Sequence, residues 1–415
     1  MAKSNYLQLH QKGYDARLAV EEAARCLLCI DAPCSKACPA ETDPARFIRA
    51  IRFRNFKGAA EIIRESNVCG GACALVCPAG KLCEGACVRA EIDRPIDIRK
   101  LQRFAVEQEQ IFNMQVLQPV SVSQSAKVAC IGAGPASLAC AAKLAQAGFQ
   151  VDIYEAMPNA GGMMSYGIPP SRLDQDLIDW DVKTVTDLGV NIILNTKVGV
   201  DVSMAELEEK YAAIFLGVGL WAGRKNNDVA LSGIMSGVEF LTLARGSNGK
   251  AIEIPQNVVV IGAGDTGMDC AATAKLLGAE NVTVLYRRAV VPAYHEELEN
   301  VQKLGVTVIT KYNIKQFIGE SAVEGLIAIN SDGFSELKIK AELVIYAIGQ
   351  DIANNEVFAQ LKLDGNRILT NNYQTSKANI FAAGDVVNGG STVVEAVKEG
   401  KDAAMEIMKF LGQGA

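Results

Sequence analysis

At 415 residues, with 49 % hydrophobic and 21 % charged residues, the chain has the composition of a globular protein of two or three domains. A net charge of −6 argues against nucleic acid or an anionic membrane surface as partner. The opening is polar, without the apolar stretch of an export signal, and the longest uncharged apolar run, 212–223, is too short to span a bilayer, which points to a cytoplasmic protein.

Residues 1–125 read as a helical, cysteine-bearing domain. Nine of the twelve cysteines fall between Cys26 and Cys87, a concentration that means metal ligation in a reducing compartment rather than a disulfide framework. The spacing is Cys26-x2-Cys29-x4-Cys34-x3-Cys38-Pro39, then Cys69-x3-Cys73-x3-Cys77-Pro78 and Cys83-x3-Cys87. Thiolates this close on tight loops can converge on a [4Fe-4S] cube, with the cysteine before a proline serving a neighbouring cluster, so two clusters are expected. Zinc also accepts four thiolates but favours two separated CxxC pairs, and only one occurs here. Nine cysteines exceed what two four-ligand clusters need, so at least one is a bystander. Between the groups, residues 46–57 read as one basic amphipathic helix packed through Phe47, Ile51 and Phe56, its cationic face either simply solvated or a docking surface. Another helix is expected over 99–110, and 116–125 is a polar linker.

The region 127–155 reads as strand, glycine turn, helix and strand. Lys127–Ile131 is apolar, Gly132-Ala-Gly134-Pro135-Ala136-Ser137 turns, 138–147 is an Ala/Leu-rich helix, and 151–155 is a strand closed by Glu155. Gly132 serves the tight turn, Gly134 admits a pyrophosphate at the helix start, and Glu155, about 20 residues on, suits the ribose hydroxyls of an adenine nucleotide. Ser137, small enough for close packing, replaces the third glycine. This is the expected flavin seat. The glycine-rich loop 159–169 follows, with Gly162 and Met163 expected along the flavin, and Arg172 set against phosphate or flavin or left as a surface charge.

A second such unit begins at 257–269, with Gly262, Ala263, Gly264, Asp265 and Thr266 in the turn. Its second strand, 282–286, ends in Tyr286 followed by Arg287 and Arg288, where an acid would favour the bare ribose of NADH. Paired guanidiniums suit a 2′-phosphate instead, which leans towards NADPH, although two exposed arginines can also be an idle pair. The strand 343–346 then enters a turn at Gly349, and 379–385 is another strand, ending in Gly384 and Asp385. A helix opens at 391–396. Asp385 could bond the ribityl chain, and the amides of Thr392 and Val393 could face negative charge on a reduced flavin ring; each could equally be an ordinary cap.

The expected fold class is therefore α/β: two Rossmann-like domains, one inserted in the other, preceded by the helical iron-sulfur domain. The boundaries read as 126–224 with 346–415 for flavin and 225–345 for NAD(P)H.

These motifs, together with Arg25-Cys-Leu-Leu-Cys29, Pro95-Ile-Asp-Ile98, Leu101-Gln-Arg-Phe104 and Phe381-Ala-Ala-Gly-Asp385, resemble the flavoprotein family that contains the glutamate synthase small subunit and the N-terminal half of dihydropyrimidine dehydrogenase. Within it the chain looks most like the electron-input subunits of the bacterial NAD-dependent dihydropyrimidine dehydrogenases. The resemblance implies FAD, two [4Fe-4S] clusters and NAD(P)H. It also implies an interleaved ligand map: Cys26, Cys29, Cys34 and Cys87 for one cluster, Cys38, Cys77, Cys83 and Gln102 for the other. Cys73 is the substitute should the second cluster be all-sulfur, and Cys69 is left without a role. Gly267 stands where the family often has alanine.

The implied reaction is hydride transfer from nicotinamide to flavin, then single electrons through the clusters to an FMN and iron-sulfur partner subunit, PreA-like, that reduces uracil or thymine. No catalytic acid or base is expected, and neither His10 nor His295 is given a role. Two alternatives are a glutamate synthase small subunit feeding a different partner and a redox-sensing interaction protein without turnover. Disulfide reductase chemistry is disfavoured because Cys130, Cys140 and Cys270 are isolated.

Overall fold

The structure, a computed structural model, describes residues 6–9, 11–226, 230–353 and 356–412; His10 falls outside them. Among them the chain forms two compact units, one of 11–165, 175–220 and the residues from 356 on, the other of 6–9, 166–174 and 221–353. Residue 125 does not separate compact units, because the cysteine-bearing helices and the first glycine turn belong to the same one.

In the first unit a five-stranded parallel sheet runs in the order Ile380–Ala382, Ala213–Leu216, Lys127–Ile131, Gln150–Tyr154, Asn191–Ile193. Its inner strands are buried almost residue for residue, which explains why they are mostly apolar: a parallel sheet covered on both faces has no polar side, and the one acid inside, Asp152, accepts from the Tyr211 hydroxyl. The helix Pro135–Gln146 follows the first strand and packs against the helix Val393–Phe410. That contact is close because Gly400 has no side chain; a Cβ there would lie 2.1 Å from the carbonyl oxygen of Ala136.

The cysteine-bearing part of this unit is helical, with Ala16–Ala24, Pro33–Lys36, Pro44–Arg52, Phe56–Ser66, Gly70–Val76 and Ile98–Ile111 as its helices. Asp15, Asp43 and Asn55 cap three of them by accepting from the amides of Leu18, Arg46 and Gly58. The expected single helix over 46–57 is therefore two. Asn55 starts a new helix after a turn in which Arg54 takes a left-handed conformation, φ +60°. Phe47 and Ile51 are fully buried as expected, while Phe56 belongs to the second helix and meets Phe104 edge to face at 4.9 Å.

The second unit has its own five-stranded parallel sheet, in the order Ile234–Ser236, Leu343–Tyr346, Asn257–Ile261, Asn281–Tyr286, Thr307–Thr310. A three-stranded antiparallel sheet, Tyr312–Ile318, Gly325–Asn330 and Glu336–Lys340, adds to it and was not anticipated. The two ends of the long segment meet where Ala222–Gly223 pairs antiparallel with Gln350–Asp351. Tyr6, far away in sequence, is fully buried in this unit's core with Phe240, Leu241, Ala244 and Met268.

Candidate functional site

Each parallel sheet presents one glycine turn built on the same principle. Gly132 has φ +87° and Gly262 φ +111°, and a Cβ at either would press on a carbonyl oxygen of the adjacent strand end, Gly217 at 2.8 Å or Ala347 at 2.2 Å. Only glycine meets both demands. The glycine two residues on faces open space instead: among the described residues a Cβ on Gly264 would meet nothing within 4 Å, and one on Gly134 would meet its nearest atom at 3.9 Å. That is the room a pyrophosphate needs at the start of the helices Pro135–Gln146 and Asp265–Leu276. Gly267, where alanine is usual, is required here, since a Cβ would sit 2.3 Å from the Gly262 oxygen.

Around the first turn, Glu155 is 5 % exposed and spans the motif, accepting from the amide of Ala133 at 2.7 Å and that of Met157 at 2.8 Å. Burial raises its carboxyl, against the amides that stabilise the charge. Gly162, φ +56°, packs its Cα side against Gly134, so the following loop with Met163 lies directly on the glycine turn. Gly384 donates its amide to Glu399 at 2.7 Å, and Asp385, its carboxyl raised by burial, accepts from the Ser391 amide at 3.0 Å. Thr392 forms a capping box with Glu395, which takes the Thr392 amide and leaves that of Val393 as the first-turn donor.

In the second unit, Arg287 and Arg288 follow the strand Asn281–Tyr286, are exposed, and make no ion pair among the described residues. Exposed Lys311 donates its amide to the Arg288 carbonyl at 3.2 Å, so three cations border this strand end. Asp265 accepts from the Tyr294 amide at 2.9 Å, and Gly349 turns with φ +118° beside Arg224. Arg172 belongs to this unit. It donates to both oxygens of Asp269, at 2.7 and 2.9 Å, and meets Glu297 at 2.7 Å, so two carboxyl groups already engage its guanidinium. His295 is an exposed residue at a helix start, paired with Glu299.

The cysteines of the first unit fall into groups. Cys26, Cys29, Cys34 and Cys87, from two separate stretches of chain, line one small cleft together with Ala32, Pro33 and Ile96. Burial pushes the Cys34 thiol up to about 11, and Cys87 and Cys26 add to the shift. Cys77 and Cys83 are raised further, first by burial and then by neighbouring thiols that include Cys73 and Cys38. Thiols so placed are neutral when nothing binds them; a metal must displace their protons, and a thiolate-liganded cluster, larger than a single ion, is the group whose chemistry suits several cysteines lining one cleft with apolar neighbours. Gln102 is 9 % exposed and donates to the Gly70 carbonyl at 2.7 Å, at the head of the helix that carries Cys73. Cys69 is fully buried, its thiol raised by burial, and its amide donates to Asn67.

Beneath this helix lies an ion network that sequence reasoning missed. Arg64 Nη1 is 2.5 Å from Asp181 Oδ1 and from the Val68 carbonyl, and Arg64 Nε is 2.9 Å from Glu109. Asp181 also accepts from the amides of Gly71 at 3.1 Å and Ala72 at 2.8 Å. The flavin-side helix Gln175–Thr186 thereby holds the first turn of the cysteine helix Gly70–Val76 by its exposed backbone donors. A second tie runs from Lys401 to the carbonyl of Ala40, two residues past Cys38.

Two family models match the chain: pyridine nucleotide-disulphide oxidoreductase over residues 126–400, and dihydropyrimidine dehydrogenase domain II, 4Fe-4S cluster, over residues 3–114. The chain is 45 % identical over 417 residues to the NAD-dependent dihydropyrimidine dehydrogenase subunit PreT of Salmonella typhimurium, covering 99 % of this chain and 98 % of that one. It is 33 % identical over 431 residues to the NADP(+)-dependent formate dehydrogenase subunit beta of Moorella thermoacetica, covering 93 % of this chain and 60 % of that one. Among solved structures, FprA from Mycobacterium tuberculosis in complex with NADPH superposes with a TM-score of 0.62 at 19 % identity, over 70 % of this chain and 85 % of FprA, a likeness of fold. Among the described residues, no helix is long and apolar enough to cross a membrane.

Proposed function

Because the chain belongs to the pyridine nucleotide-disulphide oxidoreductase family and, over nearly its whole length, to the PreT subunits of NAD-dependent dihydropyrimidine dehydrogenase, we propose that it is the electron-input half of a cytoplasmic two-component pyrimidine reductase. It is an oxidoreductase subunit with a flavin, NAD(P) and iron-sulfur inventory. Its partner in this reading is an FMN and iron-sulfur subunit of the PreA kind, which reduces uracil or thymine. The observation that carries the reading is the cleft lined by Cys26, Cys29, Cys34 and Cys87, in the same compact unit as the glycine turn of the flavin seat.

When bound, the flavin supplies the conversion between a hydride's paired electrons and the single electrons that clusters carry. The chain's own residues do the rest. Gly132 and Gly134, with Pro135, Ala136 and Ser137, open a helix start to the flavin pyrophosphate; Glu155, Gly162, Met163, Gly384, Asp385 and the Val393 amide border the same seat. Gly262 to Thr266 do the equivalent for the nicotinamide nucleotide. Two clusters are held in our reading by Cys26, Cys29, Cys34 and Cys87, and by Cys38, Cys77, Cys83 and Gln102, with Cys73 near enough to that second set to take the place of Gln102.

Arg287 and Arg288, exposed and unpaired among the described residues, support a preference for NADPH, since a 2′-phosphate is the forked anion that guanidiniums match best. Arg172 supports the nucleotide unit by fixing Asp269 and Glu297 rather than by meeting phosphate. Anaerobic purification tests the function. We expect FAD and iron to co-purify and uracil-dependent NADPH oxidation to appear when the FMN subunit is added. A colourless, iron-free protein would refute the reading.

A further inference from the structure

The cleft of Cys26, Cys29, Cys34 and Cys87 opens beside a surface that does not look like a solvated face. From Pro44 to Ala60 the chain carries five cations, Arg46, Arg49, Arg52, Arg54 and Lys57, and no carboxylate. Arg46 and Lys57 find Glu65 and Glu61, but Arg49, Arg52 and Arg54 are exposed and make no ion pair among the described residues. They sit in a chain whose net charge is −6, so the stripe opposes the rest of the protein's field. Apolar side chains stand out beside it: Phe53 is 69 % exposed at the end of the helix Pro44–Arg52, and Ile30, next to Cys29, is 96 % exposed. Leu27 lines the cleft and is still 44 % exposed.

The stripe and the cleft are one place. Ala45, on the same helix, lines the cleft, and Arg52 is close enough to Cys26 to act on its thiol. Asp31, an exposed acid on the cluster loop, lies 4.0 Å from Lys36. Unpaired guanidiniums around an exposed aromatic and aliphatic centre are the composition of a protein interface, and their common sign calls for an acidic counterpart.

We propose that Arg49, Arg52, Phe53 and Arg54, with Leu27 and Ile30 at the mouth of the cleft, form the docking surface for an acidic electron-accepting protein, the FMN and iron-sulfur subunit of the proposed pair. This rests on the functional reading above and names the face through which that reading requires the two subunits to meet. Fast, salt-sensitive association is the expected consequence.

The test uses the holoprotein carrying Arg49→Glu with Arg54→Glu, and separately Phe53→Ser; Arg52 is left intact because of its field at Cys26. Two rates are measured: NADPH oxidation by ferricyanide, which needs no partner, and uracil-dependent NADPH oxidation with increasing FMN subunit. The expected result is unchanged ferricyanide reduction and iron content, with the half-saturating partner concentration raised about tenfold or more by the charge reversal and by a smaller factor in Phe53→Ser. Should the glutamates disturb iron content, Arg49→Gln with Arg54→Gln reads the same quantity, with an expected rise of about threefold. Partner saturation identical to wild type overturns the docking surface while leaving the pyrimidine reading standing. A wild-type chain that reduces ferricyanide but never couples to the FMN subunit overturns both. A change confined to self-association, read by sedimentation, assigns the face to a second copy of the chain and also overturns the proposal.

Discussion

Arg64 and Asp181 meet at 2.5 Å with neither side chain exposed, 117 residues apart in the chain. Asp181 is bound at the same time to two amides at the head of the cysteine helix. Replacing it with alanine leaves a buried guanidinium short of a counter-ion and the amides of Gly71 and Ala72 without an acceptor. Asp181→Ala is expected to cost about 3–5 kcal/mol of stability. Thermal melts with parallel iron analysis check this; a melting temperature within a degree of wild type would mean that the network is slack.

The contact of Gly400 with the Ala136 carbonyl makes a second site sensitive out of proportion to its size. A methyl group at 2.1 Å must push apart the helix Val393–Phe410 and the first turn of the helix Pro135–Gln146. Gly400→Ala is expected to lose about 1–3 kcal/mol and to weaken flavin retention, read as the flavin-to-protein absorbance ratio after gel filtration. Full flavin occupancy would show that the two helices can separate without disturbing the turn.

The ligand map makes a graded prediction. Cys38→Ala should lower iron by about half while flavin stays bound, because one four-iron cluster of two is lost. Cys69→Ala, at a buried thiol outside the map, should leave iron unchanged. Equal iron in both variants and wild type would remove Cys38 from the map. Loss in Cys69→Ala would bring that residue into it.

Nucleotide choice is tested at the strand end after Tyr286. Arg287→Glu is expected to raise the KM for NADPH by about tenfold or more, the scale of one lost charge-assisted hydrogen bond, with little change for NADH. Parallel KM measurements with both nucleotides decide it, and equal effects would end the 2′-phosphate assignment.

Glu297 gives the nucleotide unit a pH dependence. Burial raises its carboxyl from 4.5 to about 7, against the pull of Arg172 and with the help of Asp269 and Asp265. The folded state therefore holds the proton more tightly than the unfolded chain. The associated stability is full below pH 4.5 and is lost as pH rises through about 7, a total of roughly 3 kcal/mol. Melting temperatures between pH 5 and 8 should fall less steeply with rising pH in Glu297→Gln than in wild type. Parallel curves would place the ionisation elsewhere.

Most of the α/β architecture could be read from the chain because its signals are local. Gly132 and Gly262 sit at turns that only glycine tolerates, and the buried parallel strands before them are continuous apolar runs. The break at Asn55 was missed because one capping side chain, rather than any loss of amphipathic pattern, ends one helix and starts the next. The antiparallel sheet over 312–340 has short, half-buried strands whose alternation is interrupted by a bulge between Ile314 and Gln316. At the site, the cysteine spacing announced the metal chemistry, but no local pattern could connect Asp181 to Gly71, or choose a pairing with Asp269 for Arg172 over phosphate, flavin or a surface position. Those relationships exist only once distant segments have packed.

The burial of Tyr6 among Phe240, Leu241 and Met268 has a consequence for how the protein is made. On the ribosome, at about 5–20 residues per second, Tyr6 emerges roughly ten to fifty seconds before the residues that will enclose it. Until then the segment that carries it has no core to enter, so the nucleotide unit can close only after its later residues have been translated.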